Sequence, residues 1–330
     1  MATRKHPVEL ALNFFSAGVL LIHPKDIGEL DDPAHPQADL AKDCHIYLIA
    51  KRPRLTFVPG SIHIGPDKTS GRFRLVKHGV PTEVDFWLEG YPNADSVEID
   101  GYPHTRLLLV KDGSAIITLP AHTLSFLCDH VSDATIRDLE VVYTGMSYGD
   151  GSRSAKDRLS SHSTLQQVLA ELNGEDPDAE ALLLMVEYKP PMVILSIDGR
   201  TKFPDSVPER NVGADFMRTE QSITEDLRIA LIEAGLIRYF QPHYNDKYKN
   251  RFPSPTHKIL EEVYAIDFGA LIVELNTEDI NVRLFSATRP AGFHHLASVD
   301  LHDPAVRASF FNIMNVPAGP DATDNSGPVF

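Results

Sequence analysis

The stretch Val142-Tyr143-Thr144-Gly145-Met146-Ser147 is the pattern around which the rest of the chain is interpreted. It completes an apolar run of strand length that begins at Leu139, and its glycine indicates a turn directly after the strand. Downstream, Ser152 or Ser154 is a suitable cap for a helix that is expected to end at Asn173-Gly174. The order of strand, turn and helix predicts an α+β unit in this part of the chain.

The predicted first helix carries two ionisable side chains on one face. Arg158 and His162 are four residues apart, so both lie on the same side of a helix. The apolar residues Leu165, Leu169 and Leu172 continue that stripe. A helix with a solvated polar face would place its charged groups opposite the leucines. The spacing therefore predicts that Arg158 and His162 face inward.

A second helix is predicted from Thr219 or Ser222 to the residues before Pro242. Glu233 lies on the stripe formed by Ala230, Ile237 and Phe240. A carboxylate on the inward side of a helix needs a cation, a metal ion or a strong hydrogen bond. Any one of these polar residues taken alone is more often structural than functional. Three inward polar residues in one segment favour a functional site.

A basic and aromatic segment follows the second helix. Its cationic residues are Arg238, Lys247, Lys249, Arg251 and Lys258, with Asp246 as the acidic residue and Tyr239, Tyr244, Tyr248 and Phe252 interleaved. Such a segment can follow a phosphate backbone, and a solvated loop with core aromatics is an equally good interpretation. On the first interpretation, these cations together with Arg153 form a nucleic-acid-binding surface.

The chain is expected to divide into four parts. Residues 1–118 hold short apolar runs separated by Gly and Pro, which predicts a β-rich N-terminal domain. Residues 119–255 contain the predicted helices, an apolar strand at 181–188 and a strand at Thr123–Cys128. Residues 256–317 are expected to supply C-terminal strands that pack on this core. The Gly-, Pro- and Asp-rich residues 318–330 are expected to be a flexible tail.

The composition limits the class of protein. The 330 residues carry a formal net charge of −15, which argues against a protein coated with nucleic acid but leaves room for a local basic groove. Cys44 and Cys128 are far apart and form no CxxC pair, so a disulfide framework or a cysteine zinc site is not expected. No run of apolar residues is long enough to cross a membrane. We therefore expect a cytoplasmic protein with no membrane contact.

The stretch Val142–Ser147 resembles the second half-motif of the GIY-YIG nucleases, in which a strand ends in a Tyr-x-Gly turn. That family places an Arg on the next helix and often a His four residues later, as at Arg158 and His162. Its metal-binding Glu lies on a later helix with a Leu-Ile, Pro and Asn pattern, and residues 233–245 (EAGLIRYFQPHYN) are similar to it. The resemblance covers about residues 123–250. It implies a small mixed sheet flanked by helices.

The resemblance also implies roles for single residues. Glu233 would be the protein ligand of Mg²⁺ or Mn²⁺, and Arg158 would bind the phosphate. Tyr143 would position or deprotonate the attacking water, with His162 orienting it. Asn245 would hold the loop after Pro242 in place.

Two features differ from the family pattern. The loop between Gly145 and Arg158 is longer than usual, and no Gly-Ile-Tyr directly precedes Tyr143. A strand predicted at 124–131 stands in its place, so His130 or Asp129 is the candidate for the position of the family's first tyrosine.

These observations lead to a functional expectation and to alternatives. The first is a metal-dependent endonuclease or phosphodiesterase that cleaves DNA, with a role in defence against foreign DNA suggested by analogy alone. Its β-rich N-terminal domain would bind a protein partner or form a homo-oligomer. The second is a catalytically inactive GIY-YIG-like module for nucleic-acid binding or assembly. A third, based on the β-rich ends, is a structural protein of a phage or mobile element.

Overall fold

A computed structural model of the chain describes most of the sequence. The described residues are 9–77, 79–89, 94–147, 154–159, 163–196, 223–250, 252–253, 260, 263 and 268–301. Four of the predicted site residues, Arg153, His162, Arg251 and Lys258, lie outside these ranges, and so does the tail at 318–330.

The described residues form the following strands and helices. The strands are β1 (Glu9–Ile22), β2 (Ile46–Pro53), β3 (Thr56–Phe57), β4 (His63–Ile64), β5 (Lys68–Lys77), β6 (Val80–Glu89), β7 (Ser96–Ile99), β8 (Arg106–Lys111), β9 (Ser114–Pro120), β10 (His130–Val131), β11 (Asp138–Met146), β12 (Ala179–Tyr188), β13 (Met192–Ser196), β14 (Ala270–Asn276), β15 (Arg283–Ser286), β16 (Arg289–Gly292) and β17 (His294–Asp300). The helices are α1 (Ala38–Asp43), α2 (Ala121–Leu127), α3 (Ala155–Leu159), α4 (Ser163–Glu175) and α5 (Glu225–Phe240).

One large mixed sheet dominates this strand-rich α/β fold. Its order is β16-β15-β11-β2-β12-β1-β14-β17, with β13 paired to β1. Strands β14 and β15 run parallel to β1 and β11, and the other pairs are antiparallel. The end strands β16 and β17 are separated in the chain by Phe293 alone. The sheet must therefore curl until its two edges nearly meet.

Both faces of the central strands are buried, because helices cover each of them. In β2, Ile46, Leu48 and Ala50 pack with α5 on one face. Tyr47 and Ile49 point to the other face, which α1, α3 and α4 cover. This alternation follows from the two-residue period of a strand. The strand that carries Tyr47 is consequently central, and it is apolar from Ile46 to Ala50.

Residues 54–137 form an inserted module between β2 and β11. The module contains the sheet β10-β6-β5-β3, with β4 on β5, and the sheet β7-β8-β9. Apolar residues from both sheets and from α2 share one core, which includes Phe57, Phe73, Phe86, Leu109 and Leu124. Its ends meet where β2 and β11 pair, with Lys51 opposite Glu140. The module therefore occupies the position of a hairpin turn.

A buried arginine joins the inserted module to the main sheet. Arg52 is 4% exposed and forms an ion pair with Glu180 of β12, with 2.9 Å between Nε and Oε1. Its Nη1 donates to the Ser125 hydroxyl at 3.1 Å and to the Ile136 carbonyl at 2.6 Å. The guanidinium carbon also lies 4.7 Å from the centre of the Phe126 ring. One side chain thus holds α2 and the end of the module against β12.

Several sequence expectations differ from this architecture. Residues 1–118 do not form a separate β-rich domain, because β1 and β2 pair with strands beyond residue 118 in the main sheet. Thr123–Cys128 was expected to be a strand and lies largely within helix α2. Strands β14 to β17 supply the expected C-terminal strands, but as members of the main sheet. Among the described residues, no helix is long and apolar enough to cross a membrane.

Candidate active site

A β-bulge places two tyrosines on the same face of the main sheet. In the β2–β11 pair, Val141 lies opposite Ala50 but Tyr143 lies opposite Ile49, so Val142 is the extra residue. A bulge of this kind shifts every later side chain to the other face. Tyr143 therefore points to the face of Tyr47, and the two ring centres are 6.1 Å apart. Without the bulge, Tyr143 would point towards α5.

The glycine of the Tyr-x-Gly pattern makes room for Tyr47. Gly145 lies directly opposite Tyr47 in the strand pair. A Cβ atom on Gly145 would be 2.6 Å from both the Cζ and the hydroxyl oxygen of Tyr47 and 2.7 Å from Cε1 of Tyr143. Contacts this short are sterically excluded, so both rings occupy their positions because residue 145 has no side chain.

Arg158 reaches this pair from the short helix α3. Ala155 and Leu159 are the buried residues of α3, and Arg158 is exposed. Its guanidinium donates a hydrogen bond to the Tyr47 hydroxyl, and this contact opposes the rise in the pKa of Tyr47. The expectation that Arg158 faces inward is wrong, because Ala155 and Leu159 form the buried face of α3 and Arg158 lies off it; His162 lies outside the described residues.

Burial raises the pKa of both tyrosines. The pKa of Tyr47 lies well above its usual value because the ring is almost fully buried. The pKa of Tyr143 is also raised by burial and by the nearby Glu233 charge, while a hydrogen bond from Tyr47 opposes the rise. The Tyr47 hydroxyl therefore lies close to both the Arg158 guanidinium and the Tyr143 hydroxyl.

Glu233 approaches from the other side, on α5. This helix begins after Thr224, whose hydroxyl accepts from the Leu227 N–H at 3.3 Å. Glu233 is partly buried, and its carboxylate accepts a hydrogen bond from the backbone N–H of Met146 at the end of β11. Burial raises the pKa of Glu233 to about 7, although the positive charge of Lys247 acts in the opposite direction. Glu233 is thus held at the strand end that follows Tyr143.

Asn245 fixes the loop that carries Lys247. Its side chain is buried, and Oδ1 accepts from the Thr144 N–H at 2.9 Å while Nδ2 donates to the Thr144 carbonyl at 2.9 Å. The neighbouring Tyr244 N–H donates to the Val142 carbonyl at 3.0 Å. This is the structural role that the sequence favoured for Asn245. The loop is held along β11, beside both Tyr143 and Gly145.

The other predicted site residues are dispersed. His130 lies on β10 in the inserted module, exposed and stacked on Trp87, and is not part of this site. Its assignment to the position of the first tyrosine is wrong, because the strand expected there is helix α2. Lys249 donates to the Pro242 carbonyl at 3.0 Å, and Arg238 donates to the Lys249 carbonyl at 3.0 Å.

A divalent cation fits the chemistry of Glu233. The carboxylate is partly buried, and no described cationic side chain forms an ion pair with it within 4.0 Å. Burying a carboxylate with so little compensation is costly, which is the situation that a bound cation relieves. No cluster of three or more His, Cys, Asp or Glu side chains occurs among the described residues. Among the described residues, Glu233 could therefore supply one carboxylate ligand to a hard cation such as Mg²⁺ or Mn²⁺, which keeps most of its water ligands.

No protein-family model, curated protein or solved structure matches this chain.

Tyr47 is the residue of this site that the sequence missed. It belongs to His45-Ile46-Tyr47-Leu48, one of the short apolar runs of residues 1–118. The Tyr-x-Gly pattern favours a first tyrosine on the strand expected just before it, at 124–131, whereas residues 54–137 lie between β2 and β11. The Ile46-Tyr47 pair in this apolar run is the sequence feature that could have indicated a first tyrosine. Its relation to Tyr143 is visible only from the pairing of β2 with β11.

Proposed function

We propose that this chain is a metal-dependent phosphodiesterase of the GIY-YIG type that cleaves DNA. The observation that supports this proposal is the convergence of Tyr47, Tyr143, Arg158 and Glu233, which come from β2, β11, α3 and α5. Cleavage of a phosphodiester builds negative charge on the non-bridging oxygens, and positive groups placed there lower the barrier. A guanidinium and a carboxylate that can hold a cation are therefore the groups that such a site needs.

We assign to Tyr143 the role of contacting the attacking water. It is the more exposed of the two tyrosines, and its oxygen accepts a hydrogen bond from Tyr47. Because the pKa of Tyr143 is raised, its hydroxyl keeps its proton near neutral pH, and Arg158 in turn lies beside Tyr47. Tyr143 orients the water for attack on phosphorus by accepting a hydrogen bond from it. Tyr47 acts as a positioning residue, because its buried ring does not reach solvent.

Arg158 is the group that we assign to the phosphate. Its side chain is exposed, and one part of the guanidinium is used by the Tyr47 hydroxyl. The planar guanidinium can present further N–H groups to a phosphate oxygen in a fixed direction. The contact with Tyr47 therefore orients the guanidinium and leaves other N–H groups of Arg158 available to a phosphate.

Glu233 would hold the metal ion. When bound, Mg²⁺ or Mn²⁺ supplies positive charge that polarises the phosphate and stabilises the leaving oxygen. Glu233 must be deprotonated to bind it, and its pKa of about 7 makes that step sensitive to pH in the neutral range. The Met146 N–H orients the carboxylate for this purpose.

The test is cleavage of supercoiled plasmid and of single-stranded DNA in the presence of Mg²⁺ or Mn²⁺. We expect the wild type to cut and both Glu233→Gln and Arg158→Ala to lose at least ~100-fold in rate, the usual effect of removing one charge-stabilising group. Arg106→Ala is a matched control, since Arg106 is an exposed arginine of the inserted module. Cutting that survives both site substitutions would contradict the proposal, and so would the absence of cutting by the wild type with either ion.

A further inference from the structure

A second polar cavity lies beyond the C-terminal end of α5. It has a volume of about 450 Å³, and its polar lining consists of Arg238, Tyr239, Gln241, Thr288, Arg289 and Ser298. Two of the described lining residues are cationic and none is acidic. In a chain with a net charge of −15, a cavity with this lining is unusual. We call it the arginine cavity.

Arg289 is held in one orientation in the arginine cavity. Its Nε donates to the Tyr239 carbonyl at 3.1 Å, and its guanidinium carbon lies 4.2 Å from the centre of the Tyr239 ring. The bond to Tyr239 also caps a carbonyl at the negative end of the helix. Capping uses Nε alone, and no described residue accepts a hydrogen bond from the two terminal nitrogens of Arg289.

A buried histidine fixes the ring on which Arg289 stacks. His295 is 3% exposed, and its Nε2 lies 2.9 Å from the Gly292 carbonyl. That nitrogen must therefore donate, and Nδ1 is left to accept from the Tyr239 hydroxyl at 3.2 Å. Burial lowers the pKa of His295, which keeps the ring neutral and this arrangement intact. The chain of contacts from Gly292 to Arg289 orients the guanidinium before any ligand arrives.

Arg238 is the second cation of the cavity. It is exposed, donates through Nη1 to the Lys249 carbonyl at 3.0 Å, and forms no ion pair with a described carboxylate. It follows Glu233 by five residues, which places it about 7.5 Å further along the helix axis and about 140° around it. The loop after α5 carries Lys247, whose charge acts on Glu233, and Lys249, whose carbonyl accepts from Arg238.

We infer that the arginine cavity binds a backbone phosphate of the DNA strand, away from the bond that is cut. Two oriented guanidinium groups match the geometry of phosphate oxygens, and the hydroxyl of Ser298 can also donate. A phosphate contact sets the register of the strand and carries no base specificity. The inference rests on the proposed function for the identity of the substrate.

The experiment measures binding apart from cleavage. Fluorescence anisotropy with a short labelled DNA duplex in EDTA reports affinity at several salt concentrations. We expect Arg289→Ala and Arg238→Ala each to weaken binding roughly tenfold and to reduce the slope of log affinity against log salt by about 1. Arg289→Lys keeps the charge but not the planar contact with Tyr239, so it should bind more weakly than the wild type. Arg106→Ala, a charge-matched variant in the inserted module, should bind like the wild type.

Each outcome bears on the inference. Wild-type affinity and salt slope in both Arg289→Ala and Arg238→Ala would overturn it, even if the protein cuts DNA. Arginine-dependent binding by a wild type that does not cut would support the cavity and refute the nuclease proposal. Calorimetry with inorganic phosphate is the third arm: phosphate that binds the cavity as tightly as the duplex would show a site for a small anion and overturn a strand contact. If Arg289→Ala fails to fold, the exposed Arg238→Ala supplies the same readouts.

Discussion

Gly145 and Tyr47 face each other across two strands, and a Cβ atom at residue 145 would lie 2.6 Å from the Tyr47 hydroxyl oxygen. The Tyr-x-Gly pattern is therefore only half of a spatial unit. The other half is a tyrosine that the sequence places on the far side of residues 54–137. Residue 145 must be glycine because Tyr47 occupies the space that a side chain would need. The backbone conformation at residue 145 would allow other amino acids.

Gly145→Ala should displace the Tyr47 ring and weaken both folding and activity. Overpacking of this kind costs about 1–3 kcal/mol of unfolding free energy, measurable by urea denaturation. Gly174→Ala is the matched control, because a Cβ atom there would meet nothing within 4 Å and the residue lies in helix α4. That control should be neutral or stabilising by a few tenths of a kcal/mol to about 1 kcal/mol. Equal stability of the two variants would refute the steric account.

Tyr47→Phe should reduce DNA cleavage by about 10²–10⁴-fold while leaving the fold intact. The ring remains to fill its buried space, but the hydroxyl that links Arg158 to Tyr143 is lost. Tyr244→Phe removes a hydroxyl that donates to Glu171, outside the site, and should cut at the wild-type rate. If Tyr47→Phe cleaves as fast as Tyr244→Phe, Tyr47 has no part in catalysis.

Glu233 should make the protein less stable as pH rises through neutrality. Its pKa is raised from the ordinary value to about 7 in the folded state, so the folded protein binds more protons than the unfolded chain between about pH 4.5 and 7. The stability from the protonated carboxyl is complete below the unfolded pKa and is lost as pH rises through 7. The loss is on the order of 2–3 kcal/mol in the absence of metal. Denaturation at pH 5 and pH 8 should show this loss in the wild type and not in Glu233→Gln.

Mg²⁺ or Mn²⁺ should reverse that loss. A cation that binds the deprotonated carboxylate stabilises the folded state, and it competes with protons for the same group. The melting temperature of the wild type should therefore rise with added Mn²⁺, and rise more at pH 8 than at pH 6. Glu233→Gln should show no such increase. An identical shift in both proteins would place the metal elsewhere.

Arg52→Ala should destabilise the protein by about 3–5 kcal/mol, because it leaves Glu180 buried without its partner. Replacing both residues by apolar ones, Arg52→Met with Glu180→Leu, should recover much of this loss. Denaturant midpoints of the single and double variants measure the difference. A double variant no more stable than Arg52→Ala would show that the bonds to Ser125 and Ile136, and not the ion pair, dominate.

Local sequence patterns predict the strands and helices that carry the candidate site. They predict less well which side chains meet there. The apolar run from Leu139 and the run at 181–188 predicted β11 and β12 close to their observed bounds, and the apolar stripe of the second helix predicted α5. The positions of Glu233 and Asn245 followed from α5 and the loop after it. These features depend on near neighbours in sequence, which periodicity and caps report well.

Two features could not be obtained from the sequence, and both depend on distant pairing. The bulge at Val142 turns Tyr143 towards Tyr47, but no local signal marks it, because its effect appears only against β2. Residues 54–137 separate β2 from its partner β11 in the sequence. For this reason the sequence predicts a domain boundary after residue 118, which the main sheet crosses. Arg158 lies on α3 and the leucines lie on α4, so the inward orientation predicted from one continuous stripe does not hold for Arg158.

The inserted module has a consequence for the order in which this protein folds. If residues 54–137 were an unstructured loop, closing it to pair β2 with β11 would cost about 3 kcal/mol more than closing a two-residue turn. A module with its own core, folded first, brings the ends of the two strands together and removes most of that entropy cost. Both tyrosines would then come into register only after the module is complete. During biosynthesis, the pair of Tyr47 and Tyr143 would be among the later parts of the chain to assemble.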